Sequence, residues 1–150
     1  MNSISNLVDI YRLTNRKITP QRLAIFNVLD SNTDHPTAEE IYEQVKSQIG
    51  NVSLKTVYQT LNELESLNQI QIIDVGTGTS RYDPNVNQLH HHLVCQNCSK
   101  VKDIELDISG EMLKAFSQNS GEFKIDRVEV VIRGLCEVCL GKGSSKQSEL

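Results

Sequence analysis

The four cysteines of this 150-residue chain fall into two pairs of identical spacing, Cys95-Gln96-Asn97-Cys98 and Cys136-Glu137-Val138-Cys139, with none left over. Two residues between ligands let both thiolates of a pair reach one ion from a tight turn, and two such pairs complete the tetrahedral four-thiolate shell that Zn2+ favours. Four protein ligands leave no coordination position for a substrate. The expectation is therefore a structural zinc site on Cys95, Cys98, Cys136 and Cys139, not a catalytic one. Four unrelated core cysteines would not repeat a spacing, and a redox dithiol calls for one CxxC in a thioredoxin-like context. The glycine usual after such a knuckle is replaced here by Ser99.

Three of the four histidines, His90-His91-His92, stand just upstream of Cys95. In an extended segment alternate side chains share a face, so His90 and His92 point one way and His91 the other. Asp83 and Asp103 are carboxylates able to complete a site with these imidazoles. A nitrogen and oxygen set without thiolate suits Fe2+, Mn2+ or Zn2+, and binds more weakly and exchangeably than a shell of four thiolates. One tight site beside one exchangeable site is the composition of a sensor. His35 lies alone in a loop and, by its surroundings, reads as an ordinary loop residue.

These residues need a scaffold, and the bulk properties limit it. Hydrophobic residues make up 38%, there is no tryptophan, and the formal net charge is −4. Two small halves are expected, each with a thin core; below roughly 70–80 residues a domain usually needs a metal, a disulfide or a partner subunit. The acidic balance argues against a constitutive nucleic-acid binder and points to a switched one. The N-terminal residues carry no basic cluster followed by an apolar run, and no stretch approaches the ~20 apolar residues of a membrane span. The expected location is the cytoplasm, without membrane association, where reduced cysteine pairs signal metal more than disulfide.

Helical spacing runs through Ile4, Leu7, Val8 and Tyr11. Thr19-Pro20 opens a second helix over Pro20–Asp30. Thr37 with Glu40 three positions on forms a capping box, and Ile41, Val45 and Ile49 supply the buried stripe of a third helix ended by Gly50. Ser53 caps a fourth, whose inner face is Leu54, Val57, Leu61 and Leu64, with Asn68 at a left-handed C-terminal position. Two β-like runs, Ile70–Val75 and Ser80–Asp83, flank the hairpin residues Gly76-Thr77-Gly78. Helices followed by a hairpin outline a winged helix. After Pro84 the texture changes: Val101–Leu106 reads as strand, Ile108, Met112, Ala115 and Phe116 as one helix face, and Phe123–Ile132 as a strand with a slip at Asp126-Arg127. The fold class is α+β. A winged-helix DNA-binding domain over 1–83 precedes a small α/β metal-binding dimerisation domain over 84–140, and 141–150 is a flexible tail.

On the fourth helix, Lys55, Thr56, Tyr58, Gln59 and Asn62 face outward. Tyrosine and threonine reach phosphates and thymine methyls, while glutamine and asparagine read adenine edges. Arg16, Lys17 and Arg22 are candidate phosphate contacts. A zinc hydrolase would need an open metal site and a general base, and no HExxH motif exists. A zinc-stapled protein-interaction module would leave the outward face of the fourth helix without a role.

The run Ile18-Thr19-Pro20-Gln21-Arg22, then His35-Pro36-Thr37-Ala38-Glu39-Glu40-Ile41-Tyr42, Ser53-x-x-Thr56-Val57-Tyr58-x-x-Leu61, Arg81-Tyr82-Asp83 and His90-x-His92-x-x-Cys95-x-x-Cys98 resembles the ferric uptake regulator family over about residues 7–140. The resemblance implies a homodimer that binds double-stranded operator DNA and represses transcription when metal-loaded, and it implies no enzyme activity. It places regulatory metal ligands on His35, Asp83, His90, His92 and Asp103, and structural zinc on the four cysteines. Iron sensors usually carry glutamate at the positions of Asp83 and Asp103, whereas peroxide sensors of the PerR type carry aspartate, so the chain resembles the peroxide-sensing branch. The histidine of an extra sensing site in some members aligns with Val128, and Gln59 stands where iron sensors often have arginine. The implied mechanism pins the two halves together through a regulatory Fe2+ or Mn2+. Peroxide reacting at Fe2+ then oxidises His35 or His90 and releases metal and DNA. An iron-responsive repressor using the same site without peroxide chemistry is the alternative.

Overall fold

The computed structural model describes residues 1–144 apart from 77, 107, 109, 124, 126 and 127, with side chains up to 141. The chain divides into two compact units, Met1–Gln88 and Leu89–Leu150.

In the first unit each helix starts where a side-chain oxygen can take up an orphan amide. Helix α1 (Ile4–Leu13) is capped by Ser3, α2 (Pro20–Leu29) by Thr19 with Pro20 at its first position, and α3 (Ala38–Ile49) by the full Thr37–Glu40 capping box. Ser53 caps α4 (Leu54–Ser66) by accepting from the Thr56 amide. Gly50 ends α3 at φ +68°, and Asn68 carries the chain out of α4 at φ +53°. Helix α2 stops one residue short of the expected Asp30, which turns to extended backbone. Strands β1 (Gln71–Asp74) and β2 (Ser80–Asp83) pair antiparallel with Ile72 opposite Tyr82. Gly76 and Gly78 take positive φ in the hairpin, and Thr77 lies outside the described residues. This is the winged-helix arrangement.

The core of this unit joins Leu7 and Tyr11 of α1, Ile25, Phe26 and Leu29 of α2, Ile41 and Val45 of α3, and Val57, Leu61 and Leu64 of α4, all fully buried. Burial of each large apolar side chain contributes about 1.5–3 kcal/mol. Tyr11 and Phe26 meet edge to face at 5.1 Å. Leu54, expected on the inner face of α4, is only half-buried.

In the second unit β3 (His91–Cys95) is the central strand, with β4 (Val101–Ile104) antiparallel on one side and β5 (Val131–Gly134) parallel on the other. Helix α5 (Gly110–Asn119) lies between β4 and β5 in sequence, and α6 (Glu137–Ser144) follows β5. The expected strand over Phe123–Ile132 is corrected to Val131–Gly134, because that is where the chain pairs with β3, while Phe123 is exposed. The slip at Asp126-Arg127 lies outside the described residues. The tail expected from Gly141 begins instead as helix through Ser144, continuing a turn nucleated at Cys136. The core is thin: Val94, Cys95, Val101 and Cys139 are buried, whereas Met112, Leu113 and Phe116 of α5 and Val131 and Ile132 of β5 are exposed. Among the described residues no helix is long and apolar enough to cross a membrane.

Candidate functional site

Strand β3 ends at Cys95, and the chain turns back through Ser99, whose amide donates to the Cys95 carbonyl at 2.9 Å. Ser99 adopts φ +58°, the left-handed backbone for which glycine is the usual residue. The second pair starts α6, where the Cys139 and Leu140 amides both donate to the Cys136 carbonyl at 2.9 Å. Parallel pairing sets Gly134 opposite Cys95, and the Gln96 amide bonds the Gly134 carbonyl at 2.8 Å, so β5 delivers the second pair beside the first. All four Sγ atoms lie within 4.8 Å of one another. Cys98 and Cys136 Sγ are 3.7 Å apart, close to the roughly 3.8 Å expected between thiolates in a tetrahedral shell with Zn–S near 2.3 Å. The donor set and its spacing fit a structural zinc ion. The Cys136 amide, 3.3 Å from Cys95 Sγ, and the Cys98 amide lower the Cys95 thiol pKa to about 6. At Cys139 a bond from Asn97 acts to lower the thiol pKa, but Cys136, burial and the remaining thiols push it up to about 11.

The second ligand group of this unit sits at the start of β3. His90 and His92 bring their Nε2 atoms to 3.1 Å, and Asp103 on β4, the register partner of His92, places Oδ1 3.7 Å from each. Two nitrogens bound to one ion at ~2.1 Å would lie about 3.0–3.4 Å apart, so the pair fits a shared divalent cation. His91 faces the other way as alternation requires, its Nδ1 accepting from the Val130 amide at 3.2 Å. Sequence reading missed Glu129, whose Oε1 lies 3.2 Å from His92 Nδ1. A carboxylate there keeps the ring proton on Nδ1 and leaves Nε2 as a lone-pair donor. Its only signal was a carboxylate in the apolar alternation before β5.

In the first unit His35 and Asp83 come together, with His35 Nε2 3.9 Å from Asp83 Oδ1 and both side chains buried. Asp83 ends β2 and also accepts from the Asn85 amide at 2.7 Å. His35 sits at φ +51°, two residues before the Thr37 cap of α3.

Of the residues expected to face DNA, Lys55, Tyr58, Gln59 and Asn62 line an open groove of about 600 Å3 along α4 together with Glu63 and Ser66. Thr56 is half-buried and hydrogen-bonded to Ser53, so it belongs to the helix cap as much as to the outer face. Tyr58 donates its hydroxyl to Glu39 at 2.7 Å. Lys17 is exposed, and Arg16 reaches Ser66 at 3.4 Å. Arg22 is placed differently: its side chain is 13% exposed, it pairs with Glu63 at 2.5 Å, and it lies over the Tyr11 ring. Its guanidinium braces α2 against α4.

A sequence model of the ferric uptake regulator family matches residues 14–133. The ferric uptake regulation protein of Bacillus subtilis is 36% identical over 145 residues, which covers 94% of this chain and 97% of that protein. The peroxide-responsive repressor PerR of Staphylococcus aureus is 32% identical over 126 residues, 84% of each. The solved Helicobacter pylori ferric uptake regulator superposes with a TM-score of 0.77 at 23% identity over 91% of both chains, a likeness of fold.

Proposed function

The chain belongs to the ferric uptake regulator family, and from that premise we propose that this metal-dependent transcription regulator is a homodimeric peroxide-sensing repressor. It is not an enzyme. In this reading Cys95, Cys98, Cys136 and Cys139 hold a structural Zn2+, and His35, Asp83, His90, His92 and Asp103 bind a regulatory Fe2+ or Mn2+. Outward residues of α4 read operator DNA in the cytoplasm.

The observation that carries the peroxide reading is the identity of the two carboxylates. Asp83 and Asp103 stand where the resemblance gives glutamate to iron sensors and aspartate to peroxide sensors. When bound, Fe2+ supplies the electron that reduces peroxide; Mn2+ does not readily do so. The chain's own contribution is to present neutral imidazoles. Glu129, 3.2 Å from His92 Nδ1, would keep the ring proton there, and Asp103 would add a carboxylate to a cation held by His90 and His92. Oxidation of one ligand imidazole would remove a donor from the ion and so release it. The apolar faces of α5 and β5 left exposed in a single chain support a second copy as the covering partner.

The second reading, an iron-responsive repressor using the same ligands, is favoured by the 36% identity to the Bacillus subtilis ferric uptake regulation protein. Peptide mass spectrometry separates the two. After micromolar H2O2, the Fe2+-loaded protein is expected to carry one added oxygen on the peptide holding His35 or His90. Unmodified histidines in protein that has lost no iron would favour iron sensing.

A further inference from the structure

The regulatory half-site of the first unit raises the question of what holds His35 in place. His35 is buried, yet its backbone lies at φ +51°, a left-handed conformation that residues with a β-carbon adopt at a cost. Such a loop keeps its shape only where its surroundings fix it. Strand β2 does so at two points. The Tyr82 amide donates to the Pro36 carbonyl at 3.0 Å, and Arg81 Nη1 donates to the His35 carbonyl itself at 2.8 Å.

The same guanidinium nitrogen reaches Glu40 Oε2 at 3.3 Å, and that oxygen accepts the Thr37 amide at 2.8 Å in the α3 capping box. Arg81 therefore ties the His35 backbone to the first turn of α3, with its side chain only 15% exposed. Arg81 and Asp83 are two apart on β2, so their side chains leave the same face of the strand. One short strand both carries a carboxylate ligand and pins the loop that carries an imidazole ligand. A planar fork can serve a carbonyl and a carboxylate together from one fixed position, which a lysine ammonium on a flexible stem does less well.

We propose that Arg81 is a positioning residue of the regulatory metal site: it touches no metal, but by holding the His35 carbonyl it sets the imidazole against Asp83, and metal affinity depends on it. This rests on the reading of His35 and Asp83 as ligands.

The test is Mn2+ titration of the zinc-replete full-length protein, with free Mn2+ followed by electron paramagnetic resonance, for wild type, Arg81→Gln, Arg81→Lys, His35→Ala and the double variant Arg81→Gln/His35→Ala. Loss of an outer-shell partner typically weakens metal binding about 10–100-fold. Arg81→Gln is expected to weaken Mn2+ binding by that factor with zinc content unchanged, and Arg81→Lys, which keeps one donor, by less. In the His35→Ala background the Arg81 substitution is expected to add nothing, since it acts through His35. A general loss of fold would instead lower affinity equally in both backgrounds, and that additivity overturns the proposal. Wild-type affinity in Arg81→Gln, alongside impaired His35→Ala, overturns it while leaving the ligand reading intact. Wild-type affinity in His35→Ala overturns both.

Discussion

His90 and His92 hold their Nε2 atoms 3.1 Å apart with Asp103 Oδ1 3.7 Å from each. Two ring nitrogens facing each other at that distance share at most one proton, whereas one divalent cation satisfies both imidazoles and the carboxylate together. Alternation along β3 and the β3–β4 register produce this geometry, with His92 paired to Asp103.

The first prediction follows from that cluster. His90→Ala or Asp103→Ala should abolish tight Mn2+ binding while leaving zinc content unchanged. Glu129→Ala should weaken it about 10-fold or more, because His92 loses the acceptor that fixes its tautomer. Calorimetric titration of Mn2+ into each variant checks this. Unchanged affinity in Glu129→Ala would show that the 3.2 Å contact with His92 does not orient the ring.

The second prediction concerns zinc. One Zn2+ per subunit should survive dialysis, and Cys136→Ser should lose it together with the dimer. Among its described residues the second unit buries few side chains besides its cysteines and the His90–His92 run, and small domains of this kind fold with their metal. Metal analysis and sedimentation of the variant decide the matter; a stable zinc-free dimer would contradict the closed-site assignment.

A third prediction joins α3 to α4. Tyr58→Ala should weaken operator binding by about 1–3 kcal/mol without altering metal content, the scale of one groove contact. Tyr58 also donates to Glu39, and that bond lowers the Glu39 carboxyl below its ordinary value. A depressed carboxyl favours the folded state above its unfolded pKa and loses that contribution as pH falls through the folded one. In Tyr58→Phe the Glu39 titration should therefore move upward, which carbon-detected NMR would follow. A Glu39 curve identical in both proteins would remove Tyr58 as the cause.

The features legible in sequence are those set by local chemistry. Thr19, Thr37 and Ser53 mark helix starts because each satisfies amides within its own turn, and the CxxC spacing declares its ligand before any fold is known. What escaped depends on distant partners. Only pairing with β3 singles out Val131–Gly134 from the longer apolar alternation. Arg22 resembles a phosphate contact until Glu63, 41 positions away, takes its guanidinium. Glu129 and Arg81 gain their places beside His92 and His35 only when strands align. The helix after Cys139 was hidden by Gly141 and Gly143, which are poor helix formers, and is seeded by the turn at Cys136.

The central claim is that metal bound by the His/Asp ligands controls DNA binding and that peroxide reverses it. The most direct measurement is fluorescence anisotropy with a duplex selected from a random pool by the Mn2+-loaded protein. Affinity is compared for the zinc-replete protein without added metal, with Mn2+ and with Fe2+, before and after micromolar H2O2. Binding should be weak without regulatory metal and tight with either ion. Peroxide should abolish it in the Fe2+ form and spare the Mn2+ form. Equal affinity with and without metal would contradict the account at its root, and an Fe2+ form that stays on DNA after peroxide would contradict the peroxide-sensing half of it.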